Sequence, residues 1–328
     1  MSETQVLLQG KKNESSNLYD YIRIARLDHS AKHIFIVPGI VLAYMLRGVH
    51  TDHFAQSLVL GLLTAICIAS ANYVINEYLD REFDRHHPTK SLRPAVRREM
   101  DGRIVAGLWM LLVASGLLFA LLVSKLMFLI AIVFAAQGVV YNVKPFRSKD
   151  KAYLDVISES INNPLRLAIG WAIVDPTTLP PGSVILAYWL GGAFLMAAKR
   201  LSEYRQIVAS HGIECLARYR ASFAHYTETT LAACCLAYSL LSVSFLAIFL
   251  VKYRIEYILL LPVIVVLFTL YFVMSTRPDS TAQKPEKLFR ETGLVAVVGL
   301  LGLMFAFTSF VDLPGLSYFA EQHYIELK

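Results

Sequence analysis

Cysteine is scarce in this chain of 328 residues, and the short motifs that announce several common enzyme chemistries are missing. Its four cysteines, Cys67, Cys215, Cys234 and Cys235, lack metal-ligand spacing, and Cys234 and Cys235 are neighbours inside an apolar run. They read as small apolar fillers rather than as a disulfide framework. There is no GxxxxGK[ST] loop, no HExxH, no CxxC pair and no GxSxG elbow. That excludes P-loop nucleotide chemistry, zincin proteolysis, dithiol redox chemistry and the α/β-hydrolase mechanism. The nine histidines are scattered apart from His86-His87. Residues 1–17 are polar, with no apolar stretch behind a basic one, so no cleavable signal peptide is expected.

What the chain has in abundance is apolar length. The hydrophobic fraction is 56% and the mean hydropathy +0.51, too high for an ordinary soluble domain of this size. Runs near the ~20 residues needed to cross a bilayer recur at 33–49, 54–79, 104–123, 126–143, 153–174, 183–203, 229–250, 255–275 and 290–311. The expected fold is all-α, a polytopic membrane protein of nine helices spanning residues 33–311. An N-terminal arm (1–32) precedes it, carrying an amphipathic helix over 18–32 that suits the membrane surface, and a tail (312–328) follows.

Charge sets the expected orientation. Lys11, Lys12, Arg23, Arg26 and Lys32 lie in the arm; Arg81, Arg85, Lys90, Arg93, Arg97, Arg98 and Arg103 in the first long connection. The later long connections carry Lys144, Arg147, Lys149 and Lys151, then Lys199, Arg200, Arg205, Arg218 and Arg220, then Arg277, Lys284, Lys287 and Arg290. The opposite side has only Arg47, Lys125, Lys252, Arg254 and Lys328. The positive-inside rule then puts the long loops and the N-terminus in the cytoplasm and the C-terminus outside, in a cytoplasmic (inner) membrane. The net charge of +6 is explained by membrane lipids with anionic headgroups, with no nucleic acid required.

The most informative stretch is 72–94, NYVINEYLDREFDRHHPTKSLRP. Asn76, Asp80 and Asp84 are spaced i, i+4, i+8 and project from nearly one helix face. Mg²⁺ takes one or two carboxylates plus substrate phosphates, and His86, His87, Lys90 and Arg93 follow to hold remaining phosphate charge. A Mg²⁺-diphosphate site at a membrane surface is the leading reading; the bland one is a solvated helix end with i,i+4 pairs such as Glu77 with Arg81. A weaker echo, Asp155 and Glu159, lies about 75 residues on, behind Tyr141, Lys144, Arg147 and Lys149. Those two acids bind a second ion or pair with Lys149 and Lys151 as a structural cluster. Arg166 is two turns deeper, where it pairs with an internal acid or faces an anionic substrate. Lys199 and Arg200 close a helix at the end a cation favours, and Pro285-Glu286 fits a simple helix start. A transporter would carry ions on intramembrane carboxylates, but the charges here cluster on one face and only Arg166 lies deep.

These residues resemble the UbiA superfamily of intramembrane transferases, along the chain from the arm to the last run. That family has nine transmembrane helices and two aspartate-rich loops over a central, lipid-open cavity with cytoplasmic cap loops. Its first motif, Asn-x-x-x-Asp-x-x-x-Asp, is matched by Asn76, Asp80 and Asp84; the second by Asp155 and Glu159. One branch, decaprenyl-phosphate phosphoribosyltransferase, is similar in more places. Its His-Pro-Thr-Lys-x-x-Arg-Pro run falls on His87, Pro88, Thr89, Lys90, Arg93 and Pro94. Its Gly-Lys-Arg-x-x-Glu segment falls partly on Lys199, Arg200 and Glu203, its helix-5 arginine on Arg166, and its Pro-Glu on Pro285 and Glu286. Two stretches, Asp155-x-x-x-Glu159 and Tyr141-Asn-Val-Lys-Pro-Phe-Arg147, look more like the prenyl-transferring members.

The resemblance implies Mg²⁺-dependent transfer of 5-phosphoribose from phosphoribosyl diphosphate (PRPP) to a polyprenyl phosphate, for cell-envelope polysaccharide synthesis. The alternative it implies is prenyl transfer from a prenyl diphosphate to an aromatic or lipid acceptor. Asn76, Asp80 and Asp84 would hold the metal, and Tyr141, Lys144, Lys90 and Arg93 the donor phosphates. Asp155 and Glu159 would serve a second ion or the ribose hydroxyls, and Arg166, Lys199 and Arg200 the lipid phosphate.

Overall fold

In a computed structural model that describes residues 16–85, 90–277, 280, 288 and 290–319, the chain is almost entirely helical, without a β-strand among those residues. The expectations placed on the N-terminal residues before 16, on His86–Thr89, on Pro285-Glu286 and on the tail from 320 lie outside them. The main helices are α1 (Leu18–Ile24), α2 (Val37–Arg47), α3 (Phe54–Leu79), α4 (Gly102–Val123), α5 (Lys125–Asn142), α6 (Leu154–Ser160), α7 (Asn162–Val174), α8 (Gly182–His211), α9 (Glu228–Tyr253), α10 (Leu261–Ser275) and α11 (Thr292–Phe310).

Seven segments among the described residues are long and apolar enough to cross a bilayer: α3, α4, α5, α8, α9, the run Ile255–Ser275 that ends in α10, and α11. This is the form lipid demands, because a helix satisfies its own backbone polar groups. The chain is an integral membrane protein. The other two expected spans are helical but interrupted. In 33–49 a 3-10 run, Leu27–Ile36, precedes the short α2. In 153–174 the break falls at Ile161 between α6 and α7. Pro164 has no N–H to offer the Ser160 carbonyl four residues back, so the ladder cannot run through that point unbroken.

The chain divides into two compact units. The first comprises residues 1–151, 168–179 and 217–224. Here α3 packs against α4 and α5. At Gly138 of α5 a Cβ would lie 1.8 Å from Asn72 Oδ1, so glycine is what lets α3 and α5 approach. The arm helix α1 does more than lie on lipid. Asn17 and Asp20 form a capping box at its start, Asp20 pairs with Arg98 at 3.1 Å, and the Asp101 N–H donates to Tyr21 Oη at 2.9 Å. Tyr21, Ile24 and Ala25 share a core with Val74, Ala95, Met100 and Val105. At another end of this unit, buried Asp175 accepts from Arg47 Nε (3.0 Å), Thr177 N (2.9 Å) and Thr178 Oγ1 (2.6 Å).

The second unit comprises residues 152–167, 180–216 and 225–328. Its core joins Val156, Phe194, Ala197, Ala198, Cys235, Tyr271 and Met274. Buried Cys235 acts there as the apolar filler its sequence context suggests. α11 leaves Leu303 and Phe310 exposed, at 73% and 87%, as a lipid-facing helix does.

Candidate active site

The first motif stands in the first unit, and its spacing works as helical geometry requires. The Asp80 N–H bonds to the Asn76 carbonyl (3.0 Å) and that of Asp84 to the Asp80 carbonyl (2.8 Å). The i→i−4 ladder therefore continues past the end of α3 into the one-turn helix Arg81–Asp84, and the three side chains stack on one face. The simple pairing of Glu77 with Arg81 does not form. Arg81 donates to the Tyr78 carbonyl at 2.9 Å and lies over the Tyr78 ring, while Glu77 is buried and its Oε1 has no hydrogen-bond partner among the described residues.

Cations surround the motif. Asp80 Oδ1 receives Lys149 Nζ at 2.5 Å and Arg147 Nη2 at 2.9 Å. Asp84 is hydrogen-bonded by Arg93 Nη1 and has Lys90 Nζ at 3.9 Å. Asn76 donates Nδ2 to Asn142 Oδ1 at 2.6 Å, and the same oxygen receives Lys149 Nζ at 2.8 Å. Arg147 also donates Nε to Asp150 at 2.7 Å and Nη1 to the Asn142 carbonyl at 3.3 Å. Its backbone is left-handed, φ 32, a conformation that costs a non-glycine residue about 1 kcal/mol or more and that collects at functional sites. Arg220 Nη2 donates to Tyr141 Oη at 3.0 Å and to the Lys149 carbonyl at 3.5 Å.

Electrostatics follow from this crowding. Burial pushes the Asp84 carboxyl above its ordinary range, against the pull of Arg93 and Lys90, and the like charge of Asp80 adds to the rise. Burial pushes the Lys149 ammonium down to about 8, although Asp80 pulls the other way. Lys144 is exposed beside these residues, in an open groove of about 580 Å³ with Phe146, Arg147, Asp150 and Lys151.

Among the described residues no three His, Cys, Asp or Glu side chains converge on a ready-made metal cage. The first motif instead offers two carboxylates and an amide, all hard oxygen donors, at one-turn intervals. Asn76 Oδ1 takes no part in the bond to Asn142. This donor set fits Mg²⁺ where substrate phosphates complete the shell.

The second motif stands in the second unit. α6 begins just after Tyr153, itself left-handed at φ 66. Asp155 is fully buried and accepts Arg200 Nε at 3.2 Å and Tyr226 Oη at 2.7 Å. Tyr226 Oη in turn accepts the Tyr153 N–H at 2.6 Å. Burial, with the charge of Asp155 beside it, raises the Tyr226 phenol far above its ordinary range. Arg200 also donates Nη2 to Glu159 at 3.2 Å and Nη1 to Glu203 at 2.8 Å, so one buried guanidinium joins three carboxylates. Lys199 Nζ is 4.0 Å from Glu203. Arg166 is buried on α7 and donates Nη1 to the Asn162 carbonyl at 3.2 Å.

Sequence reading brought Asn76, Asp80, Asp84, Lys90 and Arg93 together, and the structure groups them. One of the two readings of Asp155 and Glu159, beside a second ion, pairs them with Lys149 and Lys151; the structure sets Lys149 on Asp80, while Arg200 takes the two acids. Asn142, Arg147, Arg220 and Tyr226 were not singled out as site residues. The density of cations over 144–151 was the one signal pointing to Arg147 and Lys149; Asn142, Arg220 and Tyr226 carry no local pattern.

The fold has counterparts among known proteins. A UbiA homologue from Archaeoglobus fulgidus, solved with GPP and Mg²⁺, superposes with a TM-score of 0.66 at 22% identity, covering 89% of this chain and all of that one. A digeranylgeranylglyceryl phosphate synthase structure superposes at 0.60 with 14% identity, covering 89% of this chain and 98% of that one. Among curated proteins, the nodulation protein NoeC of Azorhizobium caulinodans is 28% identical over 57% of this chain, and the protoheme IX farnesyltransferase of Geobacillus kaustophilus 29% over 51%. These matches span 58% and 55% of the relatives' own lengths. Residues 35–295, from the start of the membrane region to the last span, match the UbiA prenyltransferase family throughout, and the chain belongs to that family.

Proposed function

We propose that the protein transfers 5-phosphoribose from PRPP to a polyprenyl phosphate, using Mg²⁺ at Asn76, Asp80 and Asp84. The observation that carries this reading is the cation excess at the first motif. Lys90, Arg93, Arg147, Lys149 and Arg220 gather there with Asp80, Asp84 and Asp150. A phosphomonoester carries a charge of about −1.5 to −2 near neutral pH. PRPP adds such a group to the diphosphate that both candidate donors share, so it matches this many cations better than a prenyl diphosphate does.

Bound Mg²⁺ would neutralise the diphosphate as it leaves. Lys90 and Arg93, with Tyr141 at the end of α5 and Lys144 just after it, bind and orient the donor phosphates through charge-assisted hydrogen bonds. The lipid phosphate is already an anion, so its oxygen attacks C1 of the ribose without a general base. The C1–O bond to diphosphate breaks, its electron pair leaves with diphosphate, and inversion at C1 is expected. Asp155 and Glu159 contact the ribose hydroxyls or a second ion, and Arg166, Lys199 and Arg200 face the lipid phosphate. Positive charge in the long connections orients the site to the cytoplasm, with the N-terminus inside and the C-terminus outside.

Prenyl transfer is the second reading, favoured by the two-acid second motif and by the relatives and solved homologues named for farnesyl transfer or bound to GPP. Purified protein, Mg²⁺, polyprenyl phosphates of C10 to C55 and ribose-labelled PRPP separate the two. Label entering the organic phase, and failing to do so with Asp84→Asn, is the expected result. Label that stays aqueous, while labelled prenyl diphosphates are consumed with an added acceptor, overturns it in favour of prenyl transfer.

A further inference from the structure

Lys149 is buried, yet its ammonium is spent on the metal motif itself. Nζ lies 2.5 Å from Asp80 Oδ1 and 2.8 Å from Asn142 Oδ1, the oxygen that holds the Asn76 amide. A lysine ammonium is a compact point charge, and the oxygens it seeks are those a hard divalent cation takes. Asp80 Oδ1 already receives two cations, Lys149 and Arg147, so a divalent ion added beside them would be strongly repelled unless one of them leaves. Arg147 has other partners, Asp150 and the Asn142 carbonyl, to keep it in place if Asp80 is taken. The Lys149 contacts to Asp80 and Asn142 are both part of the motif's own lattice, and Arg220 tethers the Lys149 backbone carbonyl.

Resting on the reading of Asn76, Asp80 and Asp84 as a metal site, we propose that Lys149 is an internal stand-in for the metal. In the donor-free protein it occupies the cation position of the first motif. When metal and donor arrive, its ammonium leaves Asp80 for the donor's diphosphate. Metal alone therefore binds weakly, and diphosphate and metal each tighten the other, as linkage requires. Such a device keeps the acids compensated between turnovers and couples metal entry to donor entry.

The test uses the full-length protein in detergent with Mn²⁺ in place of Mg²⁺, following free Mn²⁺ by electron paramagnetic resonance without any donor. Calorimetry with magnesium diphosphate reads the second half. In Lys149→Met, donor-free Mn²⁺ affinity is expected to rise about tenfold while magnesium diphosphate affinity falls by a similar factor. Lys149→Arg keeps a cation and is expected to keep donor-free Mn²⁺ weak. Unchanged or weaker Mn²⁺ binding in Lys149→Met, or tightened binding in Lys149→Arg, overturns the stand-in role. If Asp84→Asn binds magnesium diphosphate as tightly as wild type does, the metal reading itself fails, a result distinct from either of those.

Discussion

Arg200 is the residue whose removal the second unit should feel most. It is 3% exposed and its three guanidinium nitrogens serve Asp155, Glu159 and Glu203 at 3.2, 3.2 and 2.8 Å. Lysine cannot reproduce that fork, and methionine removes the charge while keeping apolar bulk. Breaking a buried ion pair by deleting one partner costs about 3–5 kcal/mol, because the other charge is left uncompensated. The lower end applies here: Glu159 is a quarter exposed and Asp155 retains the Tyr226 hydroxyl. A loss of about 3 kcal/mol, set against an unfolding entropy of about 2.1 cal/mol/K per residue, lowers Tm by about 4 °C in a chain of this length. Thermal unfolding of Arg200→Met and Arg200→Lys in one detergent at one scan rate measures it, with Lys expected between Met and wild type. A melting temperature within about 1 °C of wild type for Arg200→Met would refute the claim that this guanidinium compensates three acids. If Arg200→Lys instead melts normally but raises KM for polyprenyl phosphate, Arg200 serves the lipid phosphate alone and does not also hold the unit together.

Tyr226→Phe removes the hydroxyl that links Asp155 to the Tyr153 N–H. It is expected to cost about 1–2 kcal/mol in stability and to lower kcat more than it raises KM for the donor; an unchanged kcat separates Asp155 from the chemistry. Gly138→Ala sets a methyl group against Asn72 and is expected to destabilise by about 1–3 kcal/mol, with activity falling because α3 and α5 carry Asn76 and Asn142. Asp175 gives a pH signature. Burial would raise its carboxyl, but hydrogen bonds from Thr177, Thr178 and Arg47 outweigh that and hold it well below the ordinary range. Its stabilisation is complete above the unfolded carboxyl's pKa and is lost as pH falls towards the folded one. Melting curves from pH 5 downward are expected to fall more steeply for wild type than for Asp175→Asn, and parallel curves refute it.

Local rules made much of this protein legible before any coordinates. A span must be about 20 apolar residues long, so α3, α4, α5, α8, α9, Ile255–Ser275 and α11 could be read from hydropathy alone. The four-residue spacing of Asn76, Asp80 and Asp84 had only one helical meaning. The breaks before α2 and at Ile161 were not read, because apolar runs hide a local change of hydrogen bonding. Nor could pattern assign partners. Lys149 and Arg147 lie within eight residues of Asp155, yet they close on Asp80, nearly 70 residues earlier, and Asp155 takes Arg200 and Tyr226 from far later in the chain. Sequence spacing determines what shares a helix face; which face meets which charge is decided by packing between helices distant in the chain. That is why the motif and its neighbours Lys90 and Arg93 could be found in the sequence, while the closing of Arg147 and Lys149 on Asp80 became visible only in the folded protein.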